Sequence, residues 1–205
     1  MISRAQQFLF GIMLLAAVIM AAILIRLRER AADRLQTAVE STTPLTEATG
    51  APPEHVTLMV PNDVDGSLVA VQRNLPMPKD ESARARVLIG RLLDAFHDQN
   101  STHPIATGAG IDEVFLMKIP SSAGLPASIG QMAVVNFSTA FAQAHPSGIE
   151  PETLTLLSII ATLHANLPSI AQVRFLIDGQ PHDTLAGHAD LTRTYLASDT
   201  NLESH

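Results

Sequence analysis

The chain has no cysteine and no tryptophan, and only one tyrosine among its 205 residues. The absence of cysteine excludes disulfides, thiolate nucleophiles, zinc–thiolate sites and a lipid-modified cysteine. Aromatic residues make up 4% of the chain, which argues against a base-stacking platform and predicts an aliphatic core. Basic residues are also scarce, because the chain after residue 34 holds 8 basic and 18 acidic residues, a formal charge of −10. Such a surface repels phosphate backbones, so we expect no nucleic-acid partner.

One long apolar segment stands out near the N-terminus. Phe8 to Ile25 is a run of 18 residues without charge, amide or proline, close to the roughly 20 residues that a helix needs to cross a bilayer. A cleaved signal peptide is the main alternative, but the apolar run continues past Ala21 and Ala22 and arginines follow it directly. The sequence therefore predicts an uncleaved signal anchor, with residues 8–25 contacting the membrane.

The charges around this segment bear on its orientation. Arg26, Arg28, Arg30 and Arg34 outnumber the positive charges before the segment. The charge count alone therefore favours a cytoplasmic C-terminal domain.

The rest of the chain divides by composition. Residues 41–55 are rich in Thr, Pro and Ala with almost no large apolar side chain, which is typical of a flexible spacer. We predict a signal-anchor transmembrane helix (residues 1–30), a helical stalk and flexible linker (31–55), one folded domain (56–198) and a disordered tail (199–205).

Hydrophobic periodicity predicts the elements of the folded domain. Apolar residues recur at helical spacing between Ala85 and Phe96, and Leu156, Leu157, Ile160, Leu163 and Leu167 form a second helical stripe. The predicted elements are strands at Val56–Val60 and Ser67–Gln72, a helix capped by Asp80 or Ser82 and running to about His97, strands at Ile111–Ile119 and Gln131–Phe137, a helix from Pro151 to Pro168, a strand at Ala171–Ile177 and a short strand near Pro181–Leu185. The order ββαββαββ, without repeated βαβ units, predicts an α+β fold. We expect a single two-layer domain with both helices on one face of a mixed sheet, preceded by the transmembrane helix and linker.

Five segments stand in order between Val56 and Leu196: VTLMVPNDVDGSLVAVQRNLP, ARVLIGRLLDAF, AVVNFSTAF, ETLTLLSIIATLHANLPSI and the closing VRFLIDGQPHDTLAGHADLT. Together they resemble the GerMN domain family of sporulation and germination proteins. The resemblance implies a membrane-attached module outside the cytoplasm, with a fold similar to the ring-building modules of secretion-like assemblies. It carries over no catalytic residues. It also implies the opposite orientation to the charge count, so we expect the C-terminal domain outside the cytoplasm.

The chain departs from the sporulation protein of this family in two ways. It has one such domain where that protein has two, and it has no cysteine for a lipid anchor. Both departures weigh against a direct role in sporulation.

No motif predicts a catalytic, cofactor or metal site. The turn Asn62–Gly66 has the wrong register for a calcium loop, because Pro61 and Gln72 would occupy positions one and twelve. Gly108-x-Gly110 lacks the third glycine of a dinucleotide fingerprint. His164 is expected to be a partly buried structural residue.

The closing motif contains four potential metal ligands, His182, Asp183, His188 and Asp190. They could converge on a metal ion. A solvated loop whose side chains bond nearby backbone amides is the favoured interpretation. We therefore expect no metal ligand and no cofactor.

Three hypotheses about function follow. The leading one is a non-catalytic, membrane-anchored module of the cell envelope that binds an envelope protein, itself or cell-wall material. The second is a hydrolase of peptidoglycan or a small-ligand-binding enzyme, using carboxylates such as Asp112, Glu113 or Asp178, and it requires two carboxyl groups facing one pocket. The third is a tethered cytoplasmic domain.

Overall fold

The computed structural model describes residues 52–106, 110–119 and 130–197. The predicted anchor at residues 8–25, the stalk, most of the linker and the predicted tail lie outside these ranges. Within them, no helix is both long and apolar enough to cross a membrane.

The described residues form an α+β fold. In chain order its elements are β1 (Pro53–Asn62), β2 (Ser67–Pro76), α1 (Glu81–Phe96), β3 (Ile111–Lys118), β4 (Gln131–Phe137), α2 (Thr139–Ala144), α3 (Ile149–Asn166), β5 (Ile170–Ile177) and β6 (Tyr195–Leu196).

The strands form two separate sheets. β1 and β2 make an antiparallel hairpin in which Pro53 pairs with Pro76 and Asn62 with Ser67, without interruption. The other sheet has the order β3-β4-β5-β6, and it is mixed because β4 and β5 are parallel while the other neighbours are antiparallel. A parallel pair needs a long crossover connection, which α2 and α3 provide between β4 and β5.

Helix α1 follows the prediction closely. The side chain of Asp80 accepts a hydrogen bond from the backbone N–H of Ala83 and caps the helix. Its buried residues are the predicted apolar face, namely Ala85, Leu88, Ile89, Leu92, Leu93 and Phe96. This face packs into one core with α3, the hairpin and the inner face of the mixed sheet.

Helix α3 is buried on nearly all sides. Every residue from Leu154 to Leu163 is buried, including Thr155, Ser158 and Thr162. The helix contacts β1, β2, β5 and α1, so it has no continuous solvent face. The predicted one-sided stripe was too narrow, because a stripe of polar residues on α3 is buried as well.

Polar side chains of α3 form hydrogen bonds with backbone groups along the outer edge of β1. Thr162 Oγ1 accepts a hydrogen bond from the Met59 N–H (2.9 Å). Asn166 accepts from the Thr57 N–H (2.9 Å) and donates to the Thr57 carbonyl (2.7 Å). Further along the edge, Thr102 donates its hydroxyl to the Pro61 carbonyl and accepts the Asp63 N–H at its own carbonyl. Side chains and a loop therefore replace the strand that would otherwise pair with β1.

Four details differ from the predicted order. The hairpin is its own sheet, since α3 and Thr102 occupy the β1 edge. β1 begins at Pro53, inside the predicted spacer, because β2 extends to Pro76 and supplies its pairing partners. Helix α2 was not predicted, and Ser138 starts it by accepting the Phe141 N–H.

The last strand also lies elsewhere. Residues near Pro181–Leu185 form only isolated bridges, while the terminal strand is Tyr195–Leu196. Glu152 of helix α3 accepts hydrogen bonds from the backbone N–H groups of Ala186, His188 and Ala189, which fix this segment against the helix.

Most aromatic residues of the described ranges lie in the core, with Phe115 as an exposed exception. Phe137 stacks on Phe141 and Phe175, with ring centroids 4.7 Å and 5.5 Å apart, and Tyr195 meets Phe175 edge-on. The prediction of an aliphatic core was therefore incomplete, because a ladder of four rings fills the space between the sheet and α2.

Candidate functional site

An open cleft lies between the hairpin and helix α1. It has a volume of about 450 Å³, which is within the range typical of ligand and peptide sites. Its floor is apolar and comes mostly from the hairpin face that carries Leu58, Val60, Val71 and Leu75, with Ala95 from α1. Strand alternation places these hairpin side chains on one face, since Leu58 pairs with Val71 and Val60 with Val69.

The rim of the cleft is charged. Arg73, Arg91, Asp94 and Asp98 line it. Arg91 bonds Asp94 one turn further along α1 (3.2 Å). The Arg73 guanidinium contacts the carbonyl of its neighbour Gln72 (3.2 Å) and has no carboxylate partner among the described residues. An apolar floor with a mixed charged rim is suited to polypeptide side chains rather than to a phosphate group.

A buried polar network lies behind the hairpin turn. The Thr155 hydroxyl is 2.7 Å from His103 Nε2 and 2.7 Å from His145 Nε2. His103 Nδ1 is 2.6 Å from an Asp63 carboxylate oxygen, and His145 Nδ1 is 2.8 Å from the Pro146 carbonyl. Both rings are nearly inaccessible, with exposures of 1% and 5%. Two loops and the hairpin turn are thus joined to α3 through one hydroxyl.

The hydrogen bonds of this network constrain its protons. The Pro146 carbonyl needs an N–H from the His145 imidazole, and one proton lies between His103 Nδ1 and the Asp63 carboxyl group. The Thr155 hydroxyl can donate only once, so one of the two Nε2 atoms must donate to it and the other must accept. Burial lowers the pKa of His145, and the neighbouring His103 ring lowers it further.

Glu152 organises the closing motif. Its side chain is fully buried in the first turn of α3. One oxygen accepts the backbone N–H groups of Ala186, His188 and Ala189 (2.8–2.9 Å), and the other accepts that of Gly148 (3.0 Å). Desolvation raises the pKa of Glu152, but these hydrogen bonds outweigh it and lower the pKa to about 2. The carboxylate is a structural anion that fixes the loop against the helix.

The three carboxylates of the hydrolase hypothesis have different surroundings. Glu113 pairs with Arg86 (3.4 Å). Asp178 accepts hydrogen bonds from the N–H and hydroxyl of Thr139, which lower its pKa. Burial raises the pKa of Asp112, and the Asp178 carboxylate raises it further. None of the three lines the cleft described above.

The four potential metal ligands of the closing motif do not gather. His188 bonds Glu152 and Ser147, and Asp190 bonds Thr192. His182 and Asp183 are exposed. Across residues 52–106, 110–119 and 130–197, no three His, Asp or Glu side chains are placed to share a metal ion.

Two further predictions can be compared with the structure. Asn62–Gly66 is a hairpin turn, and Gly66 has a φ of 71°, a value that favours glycine. His164 is exposed rather than partly buried, and its ring contacts the Ile170 carbonyl (3.2 Å). Gly108 lies outside the described residues.

No local motif predicts the His103–Thr155–His145 network. Its rings come from loops that are 52 and 10 residues from Thr155 in sequence. Glu152 also looked ordinary, because acidic residues are common in the first turn of a helix. A signal was available in Thr155, Ser158 and Thr162, which place hydroxyls inside an otherwise apolar helix.

Comparison with known proteins gives the family. Residues 57–183 match the Germane family, described as sporulation and spore germination. A search of curated proteins found no significant match.

Several solved structures are similar. The tandem GerMN domains of the sporulation protein GerM from Bacillus subtilis share 17% identity at a TM-score of 0.49, over 72% of this chain and 47% of that one. The first GerMN domain of GerM alone shares 20% at 0.45, over 70% of this chain and 96% of that one. A Clostridium perfringens protein provisionally described as a lipoprotein shares 18% at 0.43, over 77% and 95%. This chain thus spans about half the length of the tandem structure. Since the family match covers more than half of the sequence, the chain belongs to the Germane family.

Proposed function

We propose that the chain is a membrane-anchored, non-catalytic binding module of the bacterial cell envelope. It binds an envelope protein, itself or cell-wall material. The observation that carries this proposal is the open cleft of about 450 Å³, whose apolar floor and charged rim suit the side chains of a polypeptide.

The family supports the setting. The Germane match is described as sporulation and spore germination, and the apolar run at residues 8–25 supplies an anchor in a chain without cysteine. We infer that the anchor is uncleaved and that the folded domain lies outside the cytoplasm. Two reporter fusions after residue 205 test this directly, one to a phosphatase that is active only outside the cytoplasm and one to an enzyme that is active only inside it. We expect the phosphatase fusion to be active. Activity of the cytoplasmic reporter alone would refute the orientation.

The use of the titratable groups supports a binding role over a catalytic one. Glu152 accepts four backbone N–H groups, and His103 and His145 are enclosed with Thr155. Glu113 is ion-paired and Asp178 is bonded to Thr139. A hydrolase needs carboxylates that face the substrate. Incubation of the purified chain with peptidoglycan, followed by chromatography of soluble fragments, should show no release.

The cleft can be tested in intact cells with a photo-crosslinking residue. At Ala95, which lines the cleft, the probe should capture a partner as adducts of defined mass. At Lys118, an exposed position on β3 outside the cleft, it should not. Equal capture at both positions, or none at Ala95, would contradict a cleft-centred binding function.

A further inference from the structure

Within the part of the chain that the structure describes, strand β2 has a continuous backbone edge that no other strand pairs with. The outward N–H and C=O groups of β1 belong to its odd residues, since Thr57, Met59, Pro61 and Asp63 bond α3 and the loop at Thr102. In the antiparallel register Thr57 faces Gln72, so the outward groups of β2 belong to its even residues. These residues are Leu68, Ala70, Gln72 and Asn74.

No described residue pairs with this edge as a strand. Among the described residues, Arg73 contacts its backbone, since the Arg73 guanidinium reaches the Gln72 carbonyl (3.2 Å). Ala70, Gln72 and Asn74 are exposed, and Val69 is 48% exposed.

The edge lacks the usual protection against pairing. Natural edge strands carry several charges, an internal proline or a bulge. From Ser67 to Leu75 the strand has no proline and one charged residue, Arg73, and its register with β1 is uninterrupted. A long, regular edge of this kind is a template for another strand.

We propose that the β2 edge is a homodimer interface, in which β2 of a second copy pairs antiparallel with it about a two-fold axis at Val71. This deepens the proposed function, on which it rests, by naming a second copy as one partner. Leu68 then faces Asn74 of the second copy, and Ala70 faces Gln72. All four outward residues are used on each strand, giving about eight backbone hydrogen bonds.

Neighbouring registers of the two β2 strands would form fewer hydrogen bonds. A shift of the two-fold axis towards Pro76 places Leu68 opposite Pro76, which has no N–H to donate. A shift in the other direction places Asn74 opposite Gly66, whose N–H already bonds the Asn62 carbonyl (2.9 Å). The register at Val71 is therefore the one that the strand ends select.

The charges and side chains of β2 also favour the register with its two-fold axis at Val71. Arg73 faces Val69 of the second copy, so the two guanidinium groups do not oppose each other. Val71 faces its own equivalent, and both belong to the face that floors the cleft. Pairing joins the apolar floors of two clefts across the axis and covers Val69. Anchoring in one membrane would raise the effective concentration of the two strands.

The absence of native cysteine allows a direct test by disulfide formation. The full chain carrying Val71→Cys, in vesicles of phosphatidylethanolamine and phosphatidylglycerol, is oxidised with copper phenanthroline. Val71 and its equivalent form a non-hydrogen-bonded pair, with Cα atoms about 4.5 Å apart, which a disulfide can bridge. Val64→Cys is the control, because Val64 is 87% exposed in the hairpin turn and more open to random collision.

Three more substitutions test the register and the edge. Val69→Cys and Arg73→Cys should cross-link with each other when mixed and give no homodimer alone. Ala70→Pro removes an outward N–H without touching the pairing to β1, and should reduce Val71→Cys cross-linking about tenfold at unchanged circular dichroism. Equal cross-linking of Val64→Cys and Val71→Cys, or its absence at Val71 and in the mixed pair, would overturn the homodimer. Capture at Ala95 in cells would then still stand, because that measurement does not depend on self-association.

Discussion

Replacement of Glu152 by Gln should destabilise the domain in a pH-dependent way. The amide keeps the shape of the side chain but loses the charge that five donors face, four backbone N–H groups and the His188 ring. The pKa falls from 4.5 to about 2 on folding. A difference of this size corresponds to about 3 kcal/mol of stability at pH 7.

The sign follows from the lowered pKa. The carboxylate contributes fully above pH 4.5, the value for the unfolded chain, and the contribution is lost as the pH falls through the folded value near 2. The gap between wild type and Glu152→Gln should therefore be about 3 kcal/mol at pH 7 and about 1.4 kcal/mol at pH 3. Urea denaturation of the purified chain, followed by circular dichroism at both pH values, measures this gap.

A matched control lies in the same helical turn. Glu150 is exposed, and Glu150→Gln changes the net charge equally. We expect an effect below about 0.5 kcal/mol for this surface position. The structural role of the Glu152 anion would be refuted by a gap under 1 kcal/mol at pH 7, or by a gap that stays constant down to pH 3.

Three other substitutions test the interior. Thr155→Val leaves two buried imidazole nitrogens without a partner and should cost about 2–4 kcal/mol in urea denaturation; an effect under 1 kcal/mol would contradict the network. Thr162→Val frees the Met59 N–H, so amide exchange at Met59 should accelerate while the exchange of Val135 in the mixed sheet should not. Gly130→Ala should cost about 1–3 kcal/mol, because φ is +113° and a Cβ would lie 2.8 Å from the Ser169 carbonyl oxygen; unchanged stability would show that the β4 start can move.

The sequence predicted best where one local pattern decides the structure. Helix α1 has a capping Asp80 and six apolar residues at helical spacing, and both are found as predicted. Strand β4 has the predicted bounds, Gln131–Phe137. The mixed α+β class also follows from the order of such elements.

The features that were not predicted depend on contacts between residues far apart in the sequence. β1 begins earlier than predicted because Glu54 bonds Arg84 of α1 and pairs with Leu75 of β2. The cleft depends on how closely α1 approaches the hairpin, which no local spacing encodes. Glu152 resembles any acidic residue in a first helical turn until amides 34–37 residues away converge on it.

Helix α3 connects these features. An entirely aliphatic central helix could rotate or slide with little change in buried area. Glu152, Thr155, Thr162 and Asn166 prevent this. Glu152 bonds the closing loop, Thr155 bonds His103, and Thr162 and Asn166 bond strand β1. Buried polar groups that are fully bonded select one arrangement of a core.

The arrangement that α3 selects has a consequence for binding. Because Thr162 and Asn166 occupy the outer edge of β1, a partner strand can reach the hairpin only at β2. The same contacts hold the Leu58 and Val60 face towards α1, where it forms the cleft floor. The polar interior of α3 therefore keeps the proposed recognition surface, made of the β2 edge and the adjoining cleft, in one fixed geometry without contributing a side chain to it.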